Sequence, residues 1–275
     1  MGRPAMRILP GYSLTMGLTI TWLSLIVLIP LCAVFIRSFG QGADHFISVA
    51  FSGRALASYR VTFGAAAIAA LINMVFGLLI AWVLVRYKFP GRQLLSAVID
   101  LPFALPTAVA GIALTAIYAD TGWLGKPLAD LGIVVAYRPQ GIVVAMTFIG
   151  LPFVVRTVEP VLADLGRDIE EAAISLGASR WQTFTHVVFP EIRAALITGT
   201  ALAFARGVGE YGSVIFIAGN MPFISEISPL LVITQLEQYD YAGAAAIAVV
   251  MLLISFSMLL LINRIQEHSR RKAGL

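Results

Sequence analysis

The sequence predicts an all-α, polytopic membrane protein with about six transmembrane helices and both termini on the cytoplasmic side. Three observations carry that prediction: an apolar composition, six apolar windows long enough to cross a bilayer, and a one-sided distribution of positive charge. Of the 275 residues, 59% are hydrophobic and 12% charged, whereas soluble domains average about 25% charged. Mean hydropathy is +0.89. A soluble domain of this length has too much surface to cover with so few charges. The span count leaves no stretch for a separate soluble domain, so 1–275 reads as one transmembrane domain.

A helix needs about 20 apolar residues to cross about 30 Å of hydrocarbon. Windows 14–36, 61–85, 97–118, 140–158, 194–218 and 241–262 qualify. The first follows Arg3 and Arg7 but outlasts a signal core and ends at Arg37 without a small-residue cleavage pattern, so it reads as an uncleaved anchor. Its Cys32, the single cysteine, reads as a packing residue. Pro102 and Pro106 interrupt the third window, which suggests a kinked or broken span. With the N-terminus inside, cytoplasmic segments carry thirteen of the 19 Lys and Arg residues and external segments five, the remaining one being Arg206 within a span. That bias orients both termini inward, and it accounts for the basic pI near 9.4 without a nucleic acid partner.

Between spans four and five, 159–193 turns abruptly polar, with Asp164, Arg167, Asp168, Glu170 and Glu171 close together. Asp168 with Glu171 has the spacing of a capping box, and Ser179 with Gln182 repeats it. Gly177 between them supplies a residue able to take positive φ where a first helix stops. The pattern predicts a cytoplasmic helix–turn–helix whose second helix is ended by Pro190. Ala172, Ala173 and Leu176 share one face, and Trp181, Phe184 and Val188 recur at helical spacing on the other helix. Such faces suit either a protein groove or the headgroup layer, and periodicity alone does not choose.

Glu171-Ala172-Ala173, Gly177, Val187, Phe189 and Pro190 resemble the EAA loop of ABC importer permeases, departing only by Phe189 for Leu and Val187 for Ile. The resemblance extends along the chain, in Leu9–Tyr12, Arg86–Arg92, Asp100–Gly111, Pro152–Val158 and Val214–Asn220, to the permeases of sulfate/thiosulfate importers. It implies a type I importer fold in a bacterial inner membrane. The implied partners are a dimer of ABC ATPases that bind the ATP, a paralogous CysW-like permease in a heterodimer, and an external sulfate-binding receptor. Glu171, Ala172, Ala173, Gly177, Trp181 and Pro190 would form the loop that couples this chain to the ATPase.

Arg206 and Glu210 stand four apart in the fifth window and share a helical face. They read either as a pore-lining pair or as a neutralised structural pair at an interface. Asp100 reads as structural, near the cytoplasmic surface. Gly199, Ala203 and Gly207 recur every four residues, which suits close helix packing. Gly207-Val-Gly209-Glu-Tyr-Gly212 matches G-x-G-x-x-G but lacks the strand a dinucleotide site requires. No GxxxxGK[ST] phosphate loop occurs, so the chain is expected to bind no nucleotide or other cofactor itself. It shows no enzymatic constellation, and the three scattered histidines argue against a metal site. An ion-coupled secondary transporter using Glu210 or Asp100 is the competing class. Molybdate or another oxyanion is the competing cargo.

Overall fold

The computed structural model describes residues 12–272, and among them every regular element is a helix. The order is α1 Tyr12–Ser38, α2 Ala43–Ala50, α3 Gly53–Arg86, α4 Arg92–Ile99, α5 Leu101–Ala104, α6 Thr107–Tyr118 and α7 Gly125–Asp130. There follow α8 Pro139–Asp164, α9 Arg167–Ser175, α10 Arg180–Val208, α11 Val214–Ile217, α12 Ser228–Glu237 and α13 Tyr241–Lys272. Five of these (α1, α3, α8, α10 and α13) are long and apolar enough to cross a membrane.

The centre is a trio of α3, α8 and α10 packed through small residues. Ala66, Ala69, Ala70 and Ala81 of α3 face Ala145, Met146, Val154 and Val155 of α8 and Ala203 of α10, all buried. Lipid tails are as apolar as leucine, so helices associate here by close approach rather than by escape from water. The predicted Gly199–Ala203–Gly207 stripe lies on this contact. A Cβ at Gly199 would stand 2.9 Å from Val154 Cα and 3.1 Å from the Phe153 carbonyl, whereas one at Gly207 would meet Ala66 Cβ at 3.5 Å. α1 runs along α13 at the edge and buries only Ser38. Cys32 is accordingly exposed on its outer surface rather than packed.

Two predicted windows are not single helices. In 97–118, α4 ends at Ile99, Pro102 is the second residue of the four-residue α5, and Pro106 precedes α6. α6 has 12 residues, about 18 Å of rise, short of the hydrocarbon thickness. In 194–218 the helix stops at Val208, and helical backbone resumes only at Val214. Glycines let that break press against α6: a Cβ at Gly111 would stand 2.7 Å from Ser213 Cα. The G-x-G-x-x-G run therefore straddles a helix end instead of lying inside one helix.

Candidate ATPase-coupling site

The polar segment folds as the predicted helix–turn–helix, with three differences in detail. α9 is capped by Gly166 with no side-chain bond, so the Asp168–Glu171 box does not form. One of its acids is engaged elsewhere: Glu170 pairs with Arg86. The second box does form, with Ser179 N–H donating to Gln182 Oε1 at 2.8 Å and Gln182 N–H donating to Ser179 Oγ at 3.3 Å. Gly177 has φ +89°, the left-handed conformation expected of it, with open space around the missing Cβ.

Pro190 does not end the second helix. α10 runs on through it into the membrane, by way of a π turn at Phe184–Val188. Proline lacks an N–H and crowds the preceding turn, and a wider turn just before it relieves both. The inserted residue also rotates the helix faces. Val188 is thus fully buried with Leu162 and Ile192, while Phe184 meets Trp82 edge-on at 5.7 Å. The stripe Trp181–Phe184–Val188 consequently turns inward except at its first member.

What remains outward is compact. Glu171, Ala172, Gly177, Trp181 and Pro190 are exposed and Ala173 is half-buried. Leu176 and Trp181 are 90% and 72% exposed, far more than an apolar side chain of a solvated hairpin needs to be. Trp181 is stacked on Phe184 at 6.0 Å, so it presents a supported aromatic face. A small-residue helix with a leucine and a tryptophan at its turn has the make-up of a docking element.

The hairpin is moored to the end of α3. Arg86 Nη2 lies 2.6 Å from Glu170 Oε1 and donates to the Leu165 carbonyl at 2.9 Å. That shared donor leaves the Arg86–Glu170 contact an ion pair rather than an aligned hydrogen bond. In return the Arg167 guanidinium donates to the Arg86 carbonyl. Arg86 also lies over Trp82, 5.7 Å from its ring centre. The sequence marks Arg86 as a cytoplasmic charge within the Arg86–Arg92 stretch, but nothing local ties it to a residue 84 positions away.

Arg206 and Glu210 do meet, at 2.7 Å. Glu210 lies past the helix end, with its side chain 2% exposed. Its Oε1 accepts from Ser213 N–H at 2.9 Å and Ser213 Oγ at 3.0 Å. The carboxylate thus closes the break after α10 while Arg206 balances its charge. Asp100 holds Arg156 bidentately, Oδ1 to Nε at 2.8 Å and Oδ2 to Nη2 at 2.6 Å, and Glu159 takes Nη1 at 2.5 Å. This cluster ties the break between α4 and α5 to α8, and hydropathy gave no sign of it.

A multi-pass bundle carrying a polar hairpin with a leucine and a tryptophan exposed at its turn has the build of an importer subunit embedded in the membrane. Residues 73–273 match the family described as binding-protein-dependent transport system inner membrane component, and the chain belongs to that family. It is 49% identical over 256 residues to the sulfate transport system permease protein CysT of Synechocystis sp., covering 93% of this chain and 90% of that one. With CysT of Escherichia coli it shares 47% over 266 residues, covering 97% and 96%. The fold also matches a crystal structure of a bacterial ABC transporter that imports alginate, with a TM-score of 0.77 at 16% identity over 94% and 96% of the two chains.

Proposed function

We propose that this chain is a permease subunit of an ATP-driven sulfate importer, forming half of the translocation path. The observation that carries the cargo is near-full-length identity of 47–49% to permeases named for sulfate transport. The cargo assignment rests on that kinship.

In this reading the ATPase dimer docks on α9 and the turn after it. Glu171, Ala172, Ala173, Gly177, Trp181 and Pro190 form or shape that surface, and the ATPase binds the ATP. The exposure of Leu176 and Trp181 supports docking over self-packing. A receptor delivers sulfate from outside, as the family's dependence on a binding protein requires. The second half of the path is a paralogous, CysW-like permease. The hairpin and both termini face the cytoplasm, on the charge bias of the loops. Arg206 and Glu210 hold the break after α10 in shape rather than ligate the cargo.

The test is labelled sulfate uptake into cells lacking this chain, with the chain restored and with unlabelled thiosulfate or molybdate as competitor. Restored uptake in which thiosulfate competes is expected. Uptake that is unaffected by loss of the chain refutes the sulfate assignment, and molybdate-specific uptake replaces it.

A further inference from the structure

We propose that Arg86 and Glu170 are positioning residues that fix α9 of the coupling hairpin to the foot of α3, so that an ATPase stroke received by α9 reaches α3 as well as α10, with which the hairpin is continuous. This deepens the proposed function and rests on it.

Three kinds of contact converge on the same joint. The first is reciprocal. The Arg86 side chain reaches the Leu165 carbonyl at the foot of α8, and the Arg167 side chain reaches the Arg86 carbonyl at the foot of α3. Each helix end thereby satisfies a carbonyl that its own helix leaves unpaired. The second is charge. Arg86 pairs with Glu170 at 2.6 Å, with the two side chains only 9% and 19% exposed. A shielded pair is screened far less by salt than a surface pair. The third is aromatic: Arg86 over Trp82, Trp82 edge-on to Phe184, Phe184 against Trp181. Charge thus holds α9 to the last turn of α3, and the aromatic contacts hold the start of α10 to the same turn.

Leu165 and Gly166 between α8 and α9 are non-helical, and the Leu165 carbonyl is held by the Arg86 side chain. A load applied at Glu171 on α9 passes to α3 through this clamp, while one applied at Trp181 enters α10 directly, because Trp181 lies on that continuous helix. α3 then carries the load from α9 34 residues along, packed lengthwise on α8 and α10. Displacing α3 displaces the centre of the bundle.

The experiment uses the assembled importer in nanodiscs. Cys32 is replaced by serine, and spin labels are placed at the exposed positions 87 and 174, one on either side of the joint. The expected result is a 87–174 distance distribution unchanged between nucleotide-free and ATP-trapped states, and one that broadens and shifts between states in Arg86→Ala. That readout does not depend on the cargo, so it stands even if the sulfate assignment fails. In parallel, Arg86→Ala and Glu170→Gln are expected to retain ATPase co-purification while cargo moved per ATP falls at least tenfold. Arg86→Lys, which keeps the charge, is expected to restore part of the loss. A distance that changes with nucleotide in the unsubstituted protein overturns the proposal. So does uptake within twofold of normal in Glu170→Gln, the substitution least disturbing to folding. Loss of ATPase binding in both variants also overturns it, since it would make these residues part of the docking surface.

Discussion

The Arg206–Glu210 pair offers a prediction whose size follows from its geometry. The carboxylate is almost fully enclosed and the guanidinium is about one-third exposed. Breaking a fully buried pair costs about 3–5 kcal/mol, whereas exposed pairs contribute about 0.2–1 kcal/mol. The asymmetry orders the single substitutions. Glu210→Gln keeps an acceptor for Ser213 and leaves a cation that is only partly enclosed, so it should cost about 1 kcal/mol. Arg206→Gln leaves a carboxylate enclosed with only the two Ser213 donors, and should cost about 2–3 kcal/mol. In the double substitution the two amides hydrogen-bond each other, which gives a coupling of about 1–2 kcal/mol. The assay is a double-mutant cycle on unfolding midpoints in mixed micelles, with uptake measured for each variant. A coupling within additive scatter, about 0.3–0.5 kcal/mol, refutes the argument that the pair acts as a unit. Restored stability with uptake still abolished refutes the purely structural role and returns the pair to the pore.

Two further outcomes follow from glycines. Gly177→Val should impose about 1–2 kcal/mol or more of left-handed strain and weaken ATPase co-purification several-fold, while Gly177→Asn, which tolerates that conformation, should remain close to normal. Equal co-purification of the ATPase with all three chains counts against the turn's role. Along the α10 stripe, Gly199→Val should overpack Val154 and Phe153 and lower stability by about 1–3 kcal/mol. Gly207→Ala meets only an ordinary contact and gains about 0.8–1 kcal/mol of helix propensity, so thermal midpoints that fall together would contradict the packing argument.

Much of the bundle was legible in the sequence because hydropathy integrates over whole helices. Windows 14–36, 61–85, 140–158 and 241–262 all lie inside long helices. The broken spans were only half legible. Pro102 and Pro106 mark interruption by chemistry, but nothing in 194–218 says that a glutamate will turn back to cap Ser213. The hairpin was visible from its polar composition, Gly177 and the Ser179–Gln182 box. The first cap was misread because α9 begins at Arg167 behind Gly166, which places Asp168 inside the helix rather than at its cap. The Trp181–Phe184–Val188 face was misread because a π turn adds a residue and breaks the 3.6-residue period on which the reading relied.

Those failures share a cause. Where solvent is hydrocarbon, apolar burial scarcely distinguishes one helix neighbour from another, so irregular segments need a different kind of fixation. The ion pairs supply it. Arg54 at the start of α3 grips Glu226 in the loop before α12, at 2.6 and 2.7 Å. Arg156 of α8 grips Asp100 at the break of the third span, Arg86 grips the hairpin, and Arg206 braces the turn after α10. His45 of α2 reaches Asp240 just ahead of α13 at 3.1 Å. Among the described ion pairs only Arg156–Glu159 lies within one helix, and it serves the same arginine that holds Asp100. Charge therefore sits where helices break, turn or meet a hairpin, while small residues pack the continuous trio. Residues of the second kind are readable from periodicity. Apart from Arg206–Glu210, those of the first kind act across tens to hundreds of positions in sequence, and they hold the segments where helices break or turn.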